Sequence, residues 1–98
     1  MIIDKSIEFR ILDLFSGAGG FSYGMEKNPH FKTMLALDFN EKALLTFKYN
    51  MPTTETIVGD ITDTEIKKEI VEKSKKYKVN MIIGGPPCQG FSLKGNKL

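Results

Sequence analysis

Residues 9–21 read Phe-Arg-Ile-Leu-Asp-Leu-Phe-Ser-Gly-Ala-Gly-Gly-Phe. The apolar run at residues 9–15 reads as a buried strand, and the glycine cluster behind it as a turn into a helix. Glycines at 17, 19 and 20 let the backbone turn tightly and approach a ligand closely. The free N–H groups at the start of the helix face such a ligand and suit an anionic group such as a carboxylate.

Outward from this stretch the same unit recurs. Residues 21–27 open the first helix, which Asn28-Pro29 ends. Residues 33–37 (TMLAL) form a second buried strand closed by Asp38. Asn40 is a good N-cap, Ala43, Leu44, Phe47 and Met51 recur at helical spacing, and Pro52 stops that helix. Residues 56–58 form a short third strand ending at Gly59-Asp60. Thr62 and Glu65 match a capping box, and Ile66, Ile70 and Tyr77 share the face of the helix that follows. Residues 79–83 form a fourth strand running into Gly84-Gly85-Pro86-Pro87. Strands alternating with helices predict a parallel α/β sheet with right-handed crossovers. Ligands in such sheets sit at the carboxyl ends of the strands. The unusual residues fall at those ends: 16–20, Asp38-Phe39, Gly59-Asp60 and 85–89.

Composition narrows the setting. The chain's 98 residues suffice for one small domain. A net charge of +2 is too slight to argue for a nucleic-acid partner by itself. The single cysteine, Cys88, allows no internal disulfide and fits a reducing compartment. The start, Met-Ile-Ile-Asp-Lys-Ser, lacks the blocks of a signal peptide, and no apolar run suits a membrane span. The expectation is a soluble cytoplasmic protein with no membrane partner. No set of side chains has metal-ligand spacing, so no metal is expected. His30 follows Asn28-Pro29 and reads as a surface residue, which argues against a Cys-His protease dyad. The lysines of residues 67–78 fit the solvated face of an amphipathic helix.

The glycine loop departs from the dinucleotide fingerprint, which needs glycine where Ser22 stands. Phe15, directly before the loop, can pack on an adenine or sulfonium group, which favours S-adenosyl-L-methionine over NAD. Asp38 suits a ribose diol. Phe39 either flanks an adenine ring or is a core aromatic. Asp60 either accepts from an adenine amino group or caps a helix, with Thr62 available as the cap instead.

The most specific stretch is Gly84-Gly-Pro-Pro-Cys-Gln-Gly-Phe-Ser92. Two prolines fix the backbone just before Cys88, and Gly90 leaves room for a large group. A thiolate there could attack an electron-poor carbon. The plainer reading, a small buried cysteine, fits this setting less well.

Four segments together resemble the DNA cytosine-5 methyltransferases. Asp13-Leu-Phe-Ser-Gly-Ala-Gly-Gly-Phe21 looks like that family's first motif, Asp38-Phe39-Asn40 its second and Gly59-Asp60-Ile61 its third. Gly85-Pro-Pro-Cys-Gln-Gly-Phe-Ser92 is similar to the catalytic fourth motif almost letter for letter. The resemblance implies a Rossmann-like methyltransferase fold, here about its first four strands. Residues 1–98 would then be the N-terminal half of a catalytic domain. It implies S-adenosyl-L-methionine as cofactor, held by Phe15, Ser16, Gly17, Ala18, Gly20, Asp38, Phe39, Asp60, Ile61 and Pro87. It implies Cys88 as the catalytic nucleophile and double-stranded DNA with a flipped cytosine as substrate. The setting it suggests is a restriction-modification system.

The family's Glu-Asn-Val motif, arginine motif, recognition region and final cofactor motif have no counterpart here. The expectation is therefore a fragment or split subunit, inactive alone, that needs a complementary C-terminal half or subunit. Two alternatives stand beside it: a non-catalytic S-adenosylmethionine-binding subunit, and a fragment of a tRNA cytosine-5 methyltransferase. Gly90-Phe91-Ser92 looks more like the bacterial DNA enzymes than the tRNA branch.

Overall fold

The computed structural model describes residues 7–84. Its elements alternate as expected: β1 (Phe9–Leu14), α1 (Gly20–Met25), β2 (Phe31–Asp38), α2 (Glu41–Asn50), β3 (Glu55–Val58), α3 (Thr64–Lys76) and β4 (Met81–Gly84). The strands form one parallel sheet in the order β3-β2-β1-β4. The chain steps outward from β1 to β2 to β3, then returns to the other side of β1. The α/β class and the four-strand arrangement are as the sequence predicts.

Strand alternation splits the core into two layers. Leu12, Leu35, Leu37 and Ile57 pack with Ile70 of α3, with Leu14, Ile61, Ile66 and Val79 at the margin. Ala36, one position out of phase on β2, packs with Leu44, Phe47 and Met51 of α2. Helices thus lie on both faces of the sheet, α3 on one and α2 on the other, as is usual for parallel strands.

Element ends differ from the expectation by a residue or two, each for a visible reason. β1 stops at Leu14 because Phe15 takes a positive φ of 56°. β2 starts at Phe31, two residues early, where the ring of Phe31 stacks on Phe9 of the paired strand at 4.8 Å. β4 starts at Met81 rather than residue 79. Asn80 instead bridges to β1, donating its N–H to Arg10 O at 2.9 Å and accepting from Arg10 N at 2.8 Å through Oδ1.

The predicted capping box at Thr62 and Glu65 is overturned. Asp63 is the N-cap of α3, its carboxylate accepting from Glu65 N at 2.8 Å and Ile66 N at 3.3 Å. Thr62 is already committed, its N–H and hydroxyl both donating to Asp60 Oδ1 at 2.8 Å. An ionised cap is also the better partner for a helix N-terminus. Asn40 caps α2 as expected, accepting from Ala43 N at 3.1 Å.

Candidate cofactor and active site

Because the strands are parallel, their carboxyl ends share one edge of the sheet. The change of direction falls between β1 and β4, where open α/β sheets form their ligand crevice. Three turns leave that edge: residues 15–19 after β1, 39–40 after β2 and 59–63 after β3.

The first turn is tied down by its own backbone. Ser16 N donates to Leu37 O of β2, and Gly19 N to Ser16 O, each at 3.0 Å. Gly17 and Gly19 both have positive φ, 55° and 93°. Their surroundings differ. A Cβ on Gly17 would meet nothing within 4 Å, whereas one on Gly19 would stand 2.6 Å from Cδ2 of Phe47. Gly19 lets the loop sit down on α2, and Gly17 keeps the opposite side open. Phe15 is 36% exposed beside the loop. The Ser16 hydroxyl is buried with no hydrogen-bond partner among the described residues.

Asp38 joins the turns. Gly17 N donates to its Oδ2 at 2.7 Å and Asn40 N to its Oδ1 at 2.9 Å. Its own carbonyl accepts from Gly59 N at 3.0 Å. One residue, only 8% exposed, thus fixes the glycine loop, the start of α2 and the turn after β3. Next to it Phe39 is 74% exposed, which sets aside the core-aromatic alternative for that side chain. Asp60 is exposed and is not a helix cap. The N–H and hydroxyl of Thr62 hold its carboxyl below the usual carboxylate range. Ile61 is partly buried against the core. Ala18 and Gly20 are exposed on the loop and at the start of α1.

The structure therefore brings Phe15, Ser16, Gly17, Ala18, Gly20, Asp38, Phe39, Asp60 and Ile61 to one edge. Pro87 and Cys88 lie outside the described residues. The strand leading to them ends at Gly84, which pairs with Leu14 at the switch point. A Cβ on Gly84 would stand 2.9 Å from Leu14 O, so the end of β4 lies close against β1.

Sequence reasoning missed Asp13 and the role of Ser22. Asp13 lies within β1 and is 1% exposed. The fully buried Ser22 of α1 donates its hydroxyl proton to Asp13 Oδ2. Burial pushes the Asp13 carboxyl up to about 6; the Ser22 bond opposes this and the Asp38 charge adds to it. The available signal was an acid inside the apolar run Ile-Leu-Asp-Leu-Phe, where a charge has no place unless something answers it. Among the described residues no group of three or more His, Cys, Asp or Glu could hold a metal ion. No described helix is long and apolar enough to cross a membrane.

This architecture defines an α/β protein with a glycine loop at the switch point of its sheet. Comparison with known proteins narrows the class. The family model for C-5 cytosine-specific DNA methylase matches residues 9–98. The type II methyltransferase M.AquIA of Picosynechococcus is 37% identical over 94% of this chain and 37% of its own length. M.DdeI of Desulfomicrobium norvegicum is 42% identical over 89% of the chain and 20% of its own length. Among solved structures, a Spodoptera frugiperda DNMT2 variant is similar with a TM-score of 0.67 and 30% identity, over 89% of this chain and 25% of that one. A prophage-encoded E. coli protein assigned as a DNA modification methyltransferase gives the same TM-score at 35% identity, over 86% of this chain and 24% of that one. The chain belongs to the C-5 cytosine-specific DNA methylase family. It spans little more than a third of the length of M.AquIA, and less of the others.

Proposed function

We propose that this chain supplies the methyl-donor site and the nucleophile of an enzyme that methylates C5 of cytosine in DNA. The observation that carries the reading is the Asp38 junction, which gathers the glycine loop and the turns after β2 and β3 around one open edge. The cofactor is S-adenosyl-L-methionine, which when bound supplies an electrophilic methyl group on a sulfonium sulfur. The described residues fit it. The open side of Gly17 admits a ligand to the backbone, and the Ser16 hydroxyl is a buried polar group still without a partner. Asp38 accepts from the ribose, the exposed ring of Phe39 and that of Phe15 flank the ligand, and Asp60 accepts from the adenine amino group. Ala18, Gly20, Ile61 and Pro87 line the remainder.

Cys88 is the catalytic nucleophile. Its thiolate adds to C6 of a cytosine turned out of the duplex, which makes C5 electron-rich. After C5 is alkylated, loss of the C5 proton and of the thiolate restores the aromatic ring. The thiolate needs a pKa lowered by positive charge or a helix N-terminus to be populated at neutral pH.

The chain serves as the N-terminal half of a methyltransferase catalytic domain within a restriction-modification system, and a complementary polypeptide completes the site. That setting is supported by the type II relatives and by the share of their length that the chain spans. The test mixes the full chain with a candidate complementary half and measures transfer of labelled methyl to double-stranded DNA, with tRNA as a parallel substrate. Transfer to DNA that Cys88→Ser abolishes is expected. Transfer to tRNA alone would move the reading to the RNA branch. Cofactor binding without transfer to either, with Cys88→Ser silent, would leave a binding subunit.

A further inference from the structure

Two acids are buried beneath one glycine loop. Asp38 is held by two backbone N–H groups, and Asp13 by the Ser22 hydroxyl alone. Among the described residues no lysine or arginine is within ion-pair distance of either. The other charged groups on neighbouring elements are engaged elsewhere or lie on the surface. Glu26 of α1 accepts from Thr33 N, Lys32 of β2 donates to Thr53, and Lys48 of α2 donates to Thr54 O. Lys27 lies over the exposed ring of Tyr23, Glu41, Lys42 and Tyr49 of α2 are exposed, and β4 has no titratable side chain. Asp38 alone among them acts on the Asp13 charge.

The Asp13 carboxylate, buried with one hydroxyl partner and with the Asp38 charge acting on it, is costly in the empty fold, and the two acids together favour a positive charge at the crevice. A ligand carrying a positive charge relieves it. Resting on the cofactor reading above, we propose that the Asp13–Asp38 pair makes this site selective for ligand charge. It favours the sulfonium methyl donor over the neutral thioether, S-adenosylhomocysteine, that remains after transfer. Asp13 sets the strength of that preference through its field, without touching the ligand.

The sign follows from proton linkage. A cation near Asp13 favours its ionised form, so by reciprocity ionisation of Asp13 favours the cation. Burial places the Asp13 carboxyl at about 6. Preference for the donor over the thioether is therefore low when Asp13 is protonated, rises through pH 6 and levels off above it. If donor binding lowers the Asp13 pKa by about one unit, the preference changes about tenfold. The amino and carboxyl groups of the two ligands are common to both, so their own titration largely cancels in the ratio.

The experiment measures dissociation constants of S-adenosylmethionine and S-adenosylhomocysteine for the full chain by calorimetry between pH 4.5 and 8. The expected ratio moves about tenfold toward the donor with its midpoint near pH 6. Asp13→Asn should hold the ratio at its low-pH value throughout. Ser22→Ala removes the bond that keeps the Asp13 pKa down, and should move the midpoint to higher pH. A ratio that stays constant with pH while both ligands bind overturns the inference and leaves the cofactor reading standing. Failure of both ligands to bind at any pH, with the complementary half present as well as without it, overturns both. The wild-type profile decides the matter even if Asp13→Asn does not fold.

Discussion

Gly19→Ala probes the joint between the glycine loop and α2. Two costs add. The residue sits at φ 93°, where an alanine is strained by about 1–2 kcal/mol. The new methyl would also stand 2.6 Å from Cδ2 and 3.0 Å from Cε2 of Phe47, a ring with no exposed surface and no room to retreat. Overpacking of that kind costs about 1–3 kcal/mol, so the sum is about 2–5 kcal/mol. Gly17→Ala is the control: it also has positive φ, but a Cβ there meets nothing, so only the strain remains. Urea unfolding of the full chain reads the difference. With a slope of about 1.5 kcal/mol/M, Gly19→Ala should lower the midpoint by about 1–3 M, and Gly17→Ala by about 1 M. Phe47→Leu in the Gly19→Ala background tests the clash directly. The double variant should be more stable than the sum of the two losses by about 1 kcal/mol or more. Equal losses at Gly17 and Gly19 with additive double-variant energies would refute the steric argument.

Three further outcomes are expected. Gly59→Ala also creates a close approach, 2.5 Å, but to Cδ1 at the flexible end of Ile66, so it should cost less than Gly19→Ala by about 1 kcal/mol or more in the same assay. Asp13→Asn should be pH-dependent. The folded pKa of Asp13 is raised to about 6 from 3.8, so the folded state binds its proton more tightly, and wild-type stability declines as pH rises from about 4 through 6. At face value the shift is about 3 kcal/mol, and relaxation of the surroundings of a buried carboxyl reduces it to about 1–2 kcal/mol. The variant should therefore gain on the wild type by that amount between pH 4 and 7 in urea unfolding, and a constant difference would contradict the burial argument. Asp63→Ala should cost about 1 kcal/mol as a lost cap, whereas Thr62→Ala should cost a few tenths, by thermal unfolding monitored at a helix wavelength; the reverse order would restore the capping box.

Much of the fold was legible because the apolar pattern alternates in short blocks and glycine, proline or aspartate closes each one. The ends of elements were less legible because tertiary partners set them. Phe31 joins β2 through its stack on Phe9, a residue far away in sequence. Thr62 fits a capping pattern perfectly well, but Asp60 two residues earlier competes for its hydroxyl, and local spacing cannot rank the two. Among site residues, the acids and glycines at strand ends were readable because their types are unusual there. Phe39 needed the structure, since spacing alone left it between an adenine-flanking ring and a core aromatic, and its exposure removes the second. The Asp13–Ser22 pair joins a strand to a helix across the glycine loop, and nothing in either local pattern points to the other.

The structure also changes what the strand-end acids can be said to do. Read from sequence, Asp38 is a free carboxylate awaiting a ribose. In the fold both its oxygens already accept backbone N–H groups, one of them from the glycine loop. A carboxylate has about four acceptor positions, so two remain for a ligand. Its orientation is thus settled before any ligand arrives, and the ordering cost that a mobile side chain would levy on binding is already met. The same bonds mean that a ligand pulling on Asp38 pulls on Gly17 and Asn40 together. Asp60 differs: both bonds from Thr62 fall on Oδ1, and its surface position leaves the group open to solvent. Of the two acids, Asp38 is therefore the one whose loss should disturb the shape of the site as well as its contacts, whereas loss of Asp60 should remove a contact and little else.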